Sequence, residues 1–69
     1  MTEYTRAAQN GENVRLVDGS IVMLHFNPAG QNGWQIEVVY AYDDHGDMMF
    51  WDTHGTSFFR DEADILEIV

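Results

Sequence analysis

Hydrophobic and polar positions alternate along much of this 69-residue chain. Over residues 34–42 the order is Trp-Gln-Ile-Glu-Val-Val-Tyr-Ala-Tyr, so Trp34, Ile36, Val38, Tyr40 and Tyr42 recur at every second position. Successive side chains of a strand point to opposite faces, and this period predicts a half-buried β-strand. Its β-branched and aromatic content suits a pleated surface. Residues 14–17 and 21–26 are two shorter apolar runs separated by Asp18-Gly19-Ser20. An Asp-Gly pair between such runs predicts a hairpin. Residues 27–33, Asn-Pro-Ala-Gly-Gln-Asn-Gly, predict a loop, because proline fixes one dihedral and glycine and asparagine tolerate positive φ. Residues 43–47 and 53–55 predict two more turns, leading into strands over 48–52 and 56–60. A single helical or 3₁₀ turn is expected over 61–64, then a last strand over 65–69. Residues 1–12 show no clear cap or apolar stripe and read as a loosely ordered arm, leaving residues 13–69 as one small β domain. No internal repeat or low-complexity tract stands out.

Short strands at such regular spacing predict an all-β fold rather than βαβ units. Five or six short antiparallel strands must curve strongly to cover a core, as a bent sheet or a small barrel. The order of an Asp-Gly hairpin, a long central strand, two more hairpins and one helical turn (Asp61 to Asp64) before Ile65-Leu66-Glu67-Ile68-Val69 resembles the SH3-like small barrels, the Sm, Tudor and KOW-type group. That resemblance implies a fold and no function. No motif supports transferring an aromatic cage or an RNA-binding residue.

Size narrows what such a domain does. A chain this short buries only about 60% of the surface its unfolded form exposes, which leaves one thin core and no room for a cleft between lobes. There is no cysteine to form a disulfide or a thiolate metal site. The amino-terminal residues are polar, without the apolar run of a signal peptide, and nothing approaches the roughly 20 apolar residues of a membrane helix. A soluble, cytoplasmic protein is the expectation.

Charge supplies the main functional clue. Twelve acids stand against three arginines, with no lysine, for a formal charge of −9. Residues 1–36 hold Glu3, Glu12 and Asp18 against Arg6 and Arg15, whereas residues 37–69 hold nine acids against Arg60 alone. Such a field repels phosphate backbones and anionic lipid, so neither nucleic acid nor membrane is expected as a direct partner. It attracts a protein with a basic surface. Carboxylates two residues apart on a strand lie about 6.6–6.8 Å apart, comparable with neighbouring phosphates, so the acidic half reads as a decoy for a nucleic-acid-binding groove. In size and charge the chain resembles the small phage inhibitors of host defence, anti-CRISPR and anti-restriction proteins that mimic nucleic acid. The candidate partner-binding residues are Asp43, Asp44, Asp47, Asp52, Asp61, Glu62 and Asp64, with Met49 and Trp51 as apolar anchors. The alternative is a structural or assembly subunit. Val38-Val39, Met48 to Trp51 and Phe58-Phe59 put apolar groups on both faces of their strands, so the arm, a homodimer or a partner must cover the outer set. On that reading the acids serve only solubility.

Enzymatic chemistry finds little support, and no cofactor or metal is expected. A calcium loop beginning at Asp43 needs glycine at its sixth position and glutamate at its twelfth, and finds Met48 and His54. His25, His45 and His54 lack the spacing of a helical zinc site, and only a meeting of the His45 and His54 turns, with Asp47 or Asp52, would offer a weak one. Ser20 and Ser57 have no nucleophile elbow around them. The acids lack an evident cleft in which a pKa could be raised for general acid work.

Overall fold

The computed structural model describes residues 2–69. The elements run α1 (Glu3–Gln9), β1 (Asn13–Leu16), β2 (Ile21–Met23), β3 (His25–Asn27), β4 (Val38–Tyr42), β5 (Met48–Trp51), a 3₁₀ turn (Asp61–Ala63) and β6 (Ile65–Ile68). The strands make two antiparallel three-stranded sheets, β2-β1-β6 and β3-β4-β5, called here sheets A and B. The mostly β class, the 3₁₀ turn and the final strand agree with the sequence pattern. The two sheets are not closed into a single barrel. The run over residues 21–26 instead crosses from sheet A to sheet B at Leu24, which is fully buried and donates its N–H to the Glu12 carbonyl at 3.0 Å. No helix among the described residues is long and apolar enough to cross a membrane.

The arm expected over residues 1–12 is, in its described part, a capped helix. Thr2 accepts the Thr5 N–H at 3.2 Å, and the Thr5 hydroxyl accepts the Thr2 N–H at 2.9 Å, a capping box that uses threonine at both positions. Thr2 also donates its hydroxyl to the Thr53 carbonyl, tying the helix start to a distant turn. Gly11, at φ 68°, ends the helix, its N–H bonding Ala8 O and the next N–H, from Glu12, bonding Ala7 O. The stripe of Tyr4, Ala7 and Ala8 packs on the core. It escapes notice in the sequence because alanine is small.

That core consists of Ala7, Ala8, Val14, Leu16, Leu24, Val39, Ala41, Trp51 and Ile65. In β4 Val39 and Ala41 belong to this cluster, and of the alternating set Tyr42 is exposed and Tyr40 half-buried, whereas Val38, at the start of the strand, is fully buried as well. The predicted strand over 34–42 is also shorter than expected. Asn27 pairs with Val38, and the next residue on β3's side is Pro28, which has no N–H to extend the ladder, so β4 begins only at Val38. The strand expected over 56–60 is reduced to an isolated bridge between Trp51 and Ser57. There Ser57 gives its N–H to the Asp64 carboxylate at 2.7 Å, and its hydroxyl accepts from Phe59 and Arg60, local bonds that replace a ladder.

Candidate functional site

The outer face of sheet B carries an aromatic network. Cross-strand register places His25 opposite Tyr40, Tyr40 opposite Phe50, and Tyr42 opposite Met48. His25 stacks on Tyr40 with ring centres 5.1 Å apart, and Tyr42 meets both edge-on at 6.0 and 6.1 Å. Tyr40 continues to Phe50 at 6.2 Å, and Trp34 lies against Phe50 at 4.9 Å and Phe58 at 5.3 Å. Phe59, 67% exposed, reaches Phe50 at 6.3 Å. Trp34 arrives here because of its loop. Buried Asn27 donates to the carbonyls of Pro28 and Gln31 at 3.0 and 3.1 Å and accepts from Asn32 at 2.5 Å. Gly30 then donates to Trp34 O at 2.8 Å, closing the loop and setting the indole over β5. The result is a groove of about 450 Å³ lined by Asn27, Asn32, Trp34, Tyr40, Tyr42, Met48 and Phe50. Ring faces carry partial negative charge, so such a groove attracts cations and flat apolar groups.

An acidic end adjoins it. Beyond Tyr42 and Met48 the β4–β5 turn holds Asp43, Asp44 and Asp47. A second hollow of about 170 Å³, on the inward side of the hairpin, brings Asp18, Asp43 and Asp44 together with Met49 and Arg60. Asp18 N–H donates to Glu62 O at 3.0 Å, which draws the 3₁₀ turn to the same end. Donation from the Ser20 backbone N–H holds the Asp18 carboxyl below its ordinary range, helped by the Ser20 hydroxyl and the charge of Arg60. At the helix start, burial raises the Tyr4 phenol, with a smaller push from Glu3.

Two turns share one construction that is legible in the sequence as Asp-x-His-Gly. In Asp43 to Asp47, one carboxylate oxygen accepts the N–H of His45 at 2.8 Å and of Asp47 at 2.9 Å. In Asp52 to Thr56, the corresponding oxygen accepts from His54 at 2.9 Å and Thr56 at 3.0 Å. Gly46 and Gly55 follow at φ 83° and 87°, a left-handed position that closes a three-residue loop. The twins sit at opposite ends of β5, so His45 and His54 do not meet. Among the described residues no group of three or more side chains is placed to hold a metal ion.

The predicted partner-binding residues therefore separate. Asp44, Asp47, Asp61 and Glu62 are exposed, whereas Asp43 and Asp52 spend an oxygen on backbone N–H groups of their own turns and Asp64 spends one on the Ser57 N–H. Asp52 lies at the far end of β5 from Asp47. Met49 is half-buried, facing the core and the acidic hollow. Trp51 is 0% exposed and donates its indole N–H to Ala63 O at 2.6 Å, so it is a core residue and not a surface anchor. The error is one of parity, since Met48 and Phe50 occupy the outward positions of β5. Alternation was visible in the sequence, but which alternate set faced outward was not. Comparison with models of known families, with curated proteins and with solved structures finds no match for this chain.

Proposed function

We propose that this protein is a non-enzymatic binding module for a basic protein surface, acting in the cytoplasm. Its contact is centred on the aromatic face of sheet B and rimmed by the acids of the β4–β5 turn. One observation carries the reading: a single hairpin bears Tyr40, Tyr42 and Phe50 in a ring network on its outer side and Asp43, Asp44 and Asp47 at its tip. Aromatic centres with charged rims are the usual anatomy of protein interfaces. The −9 charge steers basic partners to it. Blocking the basic groove of a nucleic-acid-binding protein, as phage inhibitors of host defence do, is the specific form we favour. Here the decoy charges are Asp44, Asp47, Asp61 and Glu62. For the architecture, we take the two sheets joined at Leu24 as the halves of an SH3-like small barrel.

The test is affinity capture from cells followed by kinetics on the recovered partner. A basic nucleic-acid-binding protein is expected, associating more slowly as salt rises, with Asp44→Asn/Asp47→Asn lowering the on-rate and Phe50→Ala raising the off-rate. A second reading, self-assembly, is favoured by the exposed Ile21, Met23, Leu66 and Val69 of sheet A and its margins. Recovery of the protein itself alone, in complexes that persist or tighten at high salt, would establish that reading instead.

A further inference from the structure

We infer that the groove between Trp34, Tyr40, Tyr42 and Phe50 is an arginine-side-chain pocket, which a partner fills with one guanidinium laid flat against the rings. The inference rests on the reading of sheet B as a partner-binding face and names what the centre of that face holds. Three features point to a guanidinium. The walls are aromatic side chains, with Trp34 tilted against Phe50 and Tyr42 edge-on to Tyr40, and a planar delocalised cation stacks on aromatic groups while shedding its hydration more readily than an ammonium. The groove also offers acceptors. Among the described residues the Asn32 side-chain oxygen and the Tyr40 and Tyr42 hydroxyls make no hydrogen bond, while the Asn32 amide nitrogen is held by Asn27. A guanidinium brings several N–H donors in one plane to meet them. Finally, no cation lines the groove, the chain carries a formal charge of −9, and the exposed Asp47 stands in the turn next to Met48, so the potential there favours a positive guest. A nucleobase would match the rings but would bring phosphates toward that carboxylate.

The probes are nine-residue glycine-serine peptides carrying a single central arginine or a single central lysine, titrated into the ¹⁵N-labelled full chain. The two indole N–H signals are separate reporters, because Trp34 lines the groove and Trp51 is buried in the core. With the arginine peptide the Trp34 signal shifts, the Trp51 signal stays, and the arginine methylenes move upfield under the rings. Binding is about tenfold tighter than for the lysine peptide. Tyr42→Ala abolishes the preference while the unchanged Trp51 signal reports an intact fold, and Trp34→Phe retains part of it. Equal binding of the two peptides, or shifts confined to residues 43–47 with Trp34 unmoved, overturns the pocket and leaves the partner-binding reading standing on charge. Failure of that reading has a different signature: a captured basic partner whose binding ignores both Phe50→Ala and Asp44→Asn/Asp47→Asn.

Discussion

Sheets A and B are built alike, each with three short antiparallel strands and one face on the common core, yet their outer faces differ. Sheet A shows solvent Ile21, Met23 and Leu66, separated by the exposed ion pair of Arg15 and Glu67 on adjacent strands. These apolar groups do not form a ring network. Sheet B shows rings in continuous contact from Tyr42 to Phe58. Scattered aliphatic residues on a surface are ordinary, because polar atoms are too few to cover a small protein. A contiguous aromatic face is less easily explained by folding alone, since the part of it left in solvent, as at Tyr42, Phe58 and Phe59, contributes little to stability. The difference directs attention to sheet B.

The largest expected effect separates the two sides of one strand. Trp51→Ala removes a fully buried indole and leaves the Ala63 carbonyl without its donor, and should cost about 3–5 kcal/mol in urea unfolding. Phe50→Ala, one residue away on the outer face, should cost clearly less and act mainly on partner binding. Equal losses from the two would make the aromatic face a second core and remove its distinction from sheet A.

The twin turns provide the next test. Gly46→Ala, at the free tip of sheet B, incurs the left-handed backbone penalty of about 1–2 kcal/mol, with open space around the new methyl. Gly55→Ala incurs the same penalty where its Cβ would lie 2.9 Å from a Tyr4 ring carbon and 3.1 Å from the Ile65 Cβ of sheet A. Thermal unfolding should show a greater loss at Gly55, by about 1–3 kcal/mol. Matching losses would mean that the contact of helix, turn and sheet A is looser than the structure places it.

Sheet A's ion pair should matter little. Arg15→Ala is expected to change stability by no more than about 1 kcal/mol, because both side chains are substantially solvated. A larger change would indicate that this face too has a structural or assembly role, measurable by sedimentation. The smallest effect is a pH dependence. The Asp18 carboxyl is lowered in the folded state, so its contribution is present above the unfolded carboxylate value and is lost as pH falls through the folded one. In unfolding curves between about pH 5 and pH 2, Asp18→Asn should lie below the parent at the upper end and converge with it at the lower. Convergence in the opposite direction would contradict the bond from Ser20.

Much of this pattern is readable from residues alone. Asp18-Gly19, Asp43 to Asp47 and Thr53-His54-Gly55 announce turns because their neighbours alternate and only glycine or asparagine adopts the required backbone easily. The helix is missed, and residues 1–12 read as an arm, because its signals are written in threonine and alanine rather than in the commoner capping and apolar residues. The aromatic groove is not announced either. Trp34 is separated from Phe50 by β4 and two loops, and nothing local in its sequence says that an asparagine pair will fold the chain back over β5.

Composition and periodicity determined a small, acidic, largely β protein with its turns at glycines, since these follow from local sterics and from the two-residue repeat of a strand. Tertiary structure decided which alternate set went inward. Either face of Met48-Met49-Phe50-Trp51 is apolar enough to be buried, and only packing against Leu16, Leu24 and the helix alanines assigned Trp51 to the interior and Phe50 to the surface. A strand with two apolar faces carries no internal instruction about its orientation, because that choice is made by the volume the rest of the chain leaves to be filled.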